Sequence, residues 1–190
     1  MPGEPGPSRI VTVANQKGGV GKTTTAINLA AALAAAEQRT LLVDVDPQSN
    51  ATRGLGVGPS DERASLYEVL LDNVPPRQAF LPTELQYLTL LPASRDLTGA
   101  ELELAGVENR EYRLREAIRP LESDFEFIIL DCPPALGLLT VNALCAARGV
   151  LVPVQCEYLA LEGLTELMET LKRVREGLNA ELTLEGILLT

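Results

Sequence analysis

The chain contains no histidine and no tryptophan, and only 4% of its residues are aromatic. Without histidine, a Ser-His-Asp triad, an imidazole general base and a His-ligated zinc site are all excluded. The three cysteines, Cys132, Cys145 and Cys156, lack metal-ligand spacing and cannot all pair, which points to reduced thiols in a cytoplasmic protein. Long hydrophobic runs are missing too. The longest, around Ile27 to Ala36, falls short of the ~20 residues a spanning helix needs, so no membrane association is expected. The opening MPGEPGPS has neither the basic start nor the apolar core of a signal peptide, and its proline and glycine predict a flexible tail over residues 1–8. Basic charge is scarce: the formal net charge is −10, and residues 61–190 carry eleven Lys/Arg against twenty-two Asp/Glu. A nucleic-acid binder usually advertises a basic face, and this stretch has none.

What is present is a core. Of 190 residues 46% are apolar, enough for one α/β domain over residues 9–190. Apolar runs alternate with helix-length segments, the sign of βαβ units on a mainly parallel, doubly wound sheet with helices on both faces. Strands are predicted at Ile10–Ala14, Thr40–Asp44, Leu88–Leu91, Phe127–Asp131, Val150–Val154 and Ile187–Thr190. Helices are predicted at Lys22–Glu37, Leu66–Leu71, Leu114–Arg119, Leu138–Ala147 and Leu161–Glu176, the first alanine-rich on nearly every face. Gly54–Asp61 and Asn73–Pro82 read as loops. Because the sequence stops on an apolar strand with no helix after it, the C-terminal part of the domain is expected to be missing.

The strongest local signal is Lys17-Gly18-Gly19-Val20-Gly21-Lys22-Thr23-Thr24, between the first strand and the first helix. Glycines let backbone N–H groups converge on an anion, and the helix N-terminus adds its own partial positive charge. Lys22 is then placed to reach the β- and γ-phosphates, and the Thr23 hydroxyl to ligate Mg²⁺. The whole stretch, Lys17 through Thr24, is the predicted nucleotide-binding loop, with Gln16 standing where the common pattern has glycine.

Two acids complete the pattern. Phe127-Ile128-Ile129-Leu130 ends in Asp131, whose carboxylate should emerge at the carboxyl edge of the sheet beside the loop and hold Mg²⁺ through water. Leu41-Leu42-Val43 likewise ends in Asp44. Asp46, before Pro47, reads as a turn-former.

The stretch NQKGGVGKTTTAINLA, with Asp44-Val45-Asp46-Pro47-Gln48 and Asp131-Cys132-Pro133-Pro134, resembles the deviant Walker A ATPases of the ParA/Soj type, which segregate chromosomes and plasmids. The resemblance implies that Lys17 reaches across a nucleotide-sandwich dimer to the partner's ATP, the alternative being a solvated loop lysine. It also implies that Asp44 positions the attacking water, and that the segments after Asp44 and Asp131 act as switches. By the same likeness the protein forms an ATP-dependent homodimer, answers to a ParB-type activator and binds DNA nonspecifically, through contacts C-terminal to residue 190. Gln155–Glu157 fit either a place near the nucleotide or the dimer partner, or a helix-entry loop. Two other readings stay open: a MinD-like positioning ATPase, and a non-catalytic module that ATP merely locks.

Overall fold

The computed structural model describes residues 8–58, 63–157 and 160–190, with backbone alone for 160–162. The described residues form one sheet from β1 (Arg9–Val13), β2 (Thr40–Asp44), β3 (Leu81–Pro82), β4 (Leu88–Leu91), β5 (Phe127–Asp131), β6 (Gly149–Val154) and β7 (Thr183–Leu189). Their spatial order is β3-β4-β2-β5-β1-β6-β7, and all pairings are parallel except β3 with β4. This is the doubly wound sheet that the alternating runs predict.

Helices cover both faces. Along β2 the side chains alternate: Leu42 packs with the layer under α1 (Lys22–Ala35), whereas Leu41 and Val43 join the opposite layer. That second layer is built on α3 (Leu66–Leu71), α5 (Leu97–Glu103), α6 (Arg113–Ile118), α7 (Leu138–Ala146) and α8 (Ala160–Gly177). Both residue sets are almost fully buried, so truncating any one of these leucines should cost about 2–5 kcal/mol. In α1 the buried residues are Lys22, Ala26, Ala30 and Ala34, a single i, i+4 stripe rather than every face. Methyl-sized side chains there let the helix axis lie close to the sheet.

Several boundaries differ from the sequence expectation, each for a local reason. The last strand begins at Thr183, not Ile187, because Glu185 bulges out between the partners of Val150 and Leu151 and breaks the apolar pattern. It is also an exposed edge strand rather than a buried one. The segment Asn73–Pro82, read as loop, contains α4 (Pro76–Ala79) and β3; proline is tolerated at the first helical position. Gly54 closes α2 (Asn50–Gly54) instead of opening a loop. Helix α5 is missed outright, since Gly99 sits inside it. Helix α1 ends at Ala35, and Glu37 adopts φ 61° where the helix was expected to continue. Ser8, assigned to the tail, is buried; residues 1–7 lie outside the described residues.

Candidate active site

Four segments meet at the carboxyl edge of the sheet: the loops after β1, β2, β5 and β6. The register explains the convergence. β5 lies between β1 and β2, pairing Val13 with Asp131 on one side and Asp44 with Asp131 on the other. Residues opposed in a parallel register face the same way, so the two acids stand side by side.

The loop after β1 has the backbone its glycines allow. Gly19 and Gly21 adopt φ 76° and 81°, a left-handed conformation that other residues rarely take. Gly21 is the residue before α1, and no side chain caps that helix end, so its first-turn N–H groups stay open to an anion. Asn15 braces the loop: its Nδ2 donates to the Pro153 carbonyl at 2.7 Å, and its Oδ1 accepts from the Lys17 N–H at 3.0 Å. Gln155 Nε2 donates to the Gly19 carbonyl at 3.2 Å, and Glu157 pairs with Lys17 Nζ at 2.5 Å. Gln155 and Glu157, left open by sequence, thus lie against the loop.

Lys22 is buried, and its Nζ donates to the Lys17 carbonyl at 2.8 Å, curled inside its own loop. Burial lowers its pKa from the ordinary lysine value, while the carboxylates of Asp131 and Asp46 pull the other way. Thr23 is half-buried, and Thr24 and Gly18 are exposed at the rim.

Asp131 is fully buried, and neither of its carboxylate oxygens has a hydrogen-bond partner among the described residues. Burial, then the nearby Asp44, push its pKa up to about 7; the Thr23 hydroxyl, close by but not in hydrogen-bond geometry, and the Lys22 ammonium act against that rise. An orphaned buried carboxylate costs free energy unless a cation or donor arrives. The described residues hold no cluster of three or more His, Cys, Asp or Glu that could cage a metal. One carboxylate beside one threonine hydroxyl therefore fits Mg²⁺, which takes few protein ligands and keeps water and phosphate oxygens for the rest.

Asp44 is also fully buried but well satisfied. Oδ2 accepts from the Thr52 N–H and hydroxyl, each at 2.7 Å, and Oδ1 from the Asp46 N–H at 3.2 Å. Burial raises its pKa to about 6 against the lowering effect of these donors. Asp46 shapes the turn, as expected, its Oδ1 accepting from the Gln48 N–H at 2.9 Å. Sequence reasoning misses Asn15 and Thr52: each is an ordinary polar residue whose partner lies elsewhere in the fold. On α8, Lys172 stands near Glu176 at 4.0 Å and Arg173 near Glu169 at 3.9 Å. No helix among the described residues is long and apolar enough to cross a membrane.

The chain is similar to several known proteins. A family model described as an AAA domain matches residues 8–184. The chromosome partitioning protein ParA of Myxococcus xanthus is 60% identical over 96% of the chain, which spans 64% of that relative's length. The sporulation initiation inhibitor protein Soj of Bacillus subtilis is 48% identical over 96% of the chain and 72% of its own. Among solved structures, one named cobyrinic acid a,c-diamide synthase from Mycobacterium smegmatis, with bound ATP analog and magnesium, superposes with a TM-score of 0.92. It is 47% identical and covers 96% of this chain and 74% of its own.

Proposed function

Since the chain belongs to the ParA/Soj family of partitioning ATPases, we propose that it binds ATP with Mg²⁺ at Lys17–Thr24, hydrolyses it slowly, and serves chromosome or plasmid segregation as an ATP-dependent dimer. The observation that carries this reading is the pairing of a buried Lys22 at an open helix end with a buried Asp131 whose oxygens lack hydrogen-bond partners among the described residues. Such a site costs free energy when empty and is relieved by a metal-bound polyphosphate.

The chain's own groups divide the work. Lys22 leaves the Lys17 carbonyl for the β- and γ-phosphates, and the loop N–H groups fix the phosphate chain. A Mg²⁺ ion bound there would supply charge neutralisation to the transferred phosphoryl group. Thr23 and Asp131 would hold it. Asp44 orients the attacking water, and because phosphoryl transfer asks chiefly for positioning, a carboxylate of modest basicity suffices. Lys17, freed from Glu157, reaches the partner's phosphates across the dimer. That exposed ion pair is weak enough to exchange, about 0.2–1 kcal/mol at most.

A ParB-type activator and nonspecific DNA are the proposed partners of the ATP dimer, and a cytoplasmic, nucleoid-associated location follows from them. Asp44→Ala tests the core of the reading. It should bind ATP with unchanged affinity and release no phosphate above background, whereas turnover at the native rate would assign the water to another residue.

A further inference from the structure

Thr52 sits in α2, eight residues past Asp44, and no motif marks it. Its hydroxyl accepts from the Ala93 N–H at 3.1 Å, which commits the hydroxyl's own proton to Asp44 Oδ2. Its backbone N–H donates to the same oxygen. A carboxylate offers about four acceptor positions. Thr52 fills both on Oδ2 and the Asp46 N–H fills one on Oδ1, which leaves a single position free. The carboxylates of Asp46 and Asp131 lie near enough to repel that of Asp44, so donors are needed to hold its direction.

We propose that Thr52 is a positioning residue for hydrolysis: it clamps Asp44 so that one Oδ1 lone pair remains, aimed to receive the attacking water. The clamp runs through Ala93 to the segment after β4, so the direction of Asp44 is set by two neighbouring strands rather than by its own rotamer. The inference rests on the reading of Asp44 as the water-positioning group. A purely structural role, in which Asp44 satisfies the first turn of α2, would act on stability and leave the chemical step alone.

The two roles separate in Thr52→Val and Thr52→Ser, with Thr52→Ala standing in should the valine variant fail to fold. Phosphate release at saturating ATP is measured beside the affinity for a fluorescent ATP analogue. Loss of one hydrogen bond to a charged group should slow turnover about 10- to 100-fold in the valine variant, less than Asp44→Ala because the backbone N–H remains. Affinity should stay within about threefold in both variants, and Thr52→Ser should turn over within about threefold of the native rate. Native turnover in Thr52→Val, a slow Thr52→Ser, or affinity falling in step with rate would each overturn the proposal. Native turnover in Asp44→Ala would instead remove the reading beneath it.

Discussion

Asp44 and Asp131 occupy the same register position on adjacent parallel strands, yet one accepts three hydrogen bonds and the other has no hydrogen-bond partner among the described residues. The contrast fits the two roles proposed for them. A satisfied carboxylate is held in one direction, as a group that orients water must be. An unsatisfied one is waiting for a ligand.

Replacing Asp131 with Asn should therefore stabilise the nucleotide-free chain while weakening Mg²⁺-dependent ATP binding. The folded acid keeps its proton up to about pH 7, against about 4 in an unfolded chain, so folding takes up a proton between those values. Native stability accordingly falls as pH rises from about 4 to about 7 and stays low above. The asparagine variant lacks this dependence. Thermal melts without metal should show its advantage on the order of 5 °C at pH 8, disappearing near pH 4. An equal gap at both pH values would mean that the carboxylate is not the source.

Lys22→Ala should lower nucleotide affinity by about 100-fold or more, because a charge is lost from a partly desolvated phosphate site. The empty fold should not suffer, since a buried ammonium is removed with it. Titration with a fluorescent ATP analogue reads the first effect and a melting curve the second. Unchanged affinity would take Lys22 out of the site.

Lys17→Ala should bind ATP as well as the native protein and fail to dimerise. Glu157→Gln should do the reverse, shifting the monomer–dimer balance toward dimer by a few-fold, because Lys17 no longer has a local carboxylate to leave. Sedimentation with a slowly hydrolysed analogue measures both. A stable dimer lacking Lys17 would return that residue to the status of a solvated loop lysine.

DNA binding by these 190 residues should be weak even with ATP. Lys172 and Arg173 on α8 are offset by glutamates one turn away, and the net charge of −10 repels a polyanion within about 10 Å at 0.1 M salt. An electrophoretic shift at low salt, with hydrolysis blocked by Asp44→Ala, measures it. Tight, salt-sensitive binding would reveal a basic surface that the charge pattern hides.

The nucleotide loop is legible from sequence because its chemistry is contiguous: left-handed backbone demands glycine at 19 and 21, and the lysine must open the helix. Asp44 and Asp131 are legible for a related reason, each ending an apolar run that sets its place at the sheet edge. Thr52 and Asn15 are not, since their value lies in bonds to Asp44 and to the Pro153 carbonyl, formed only after folding. The first half of β7 is hidden by the same kind of local exception, Glu185 leaving the ladder to pair with Arg9 at 2.6 Å.

The place of β5 between β1 and β2 has a consequence for synthesis. The first two strands, made early and close in sequence, cannot pair with each other and must wait for a strand more than eighty residues downstream. A nascent chain carrying the whole phosphate loop therefore has no acid opposite it until residue 131 has left the ribosome and slotted between its neighbours. Such non-local assembly is slow relative to helix formation. Nucleotide capture would then report completion of the sheet, and ribosome-stalled chains with β5 still inside and already outside the ribosome should differ in ATP retention as a step rather than a gradient.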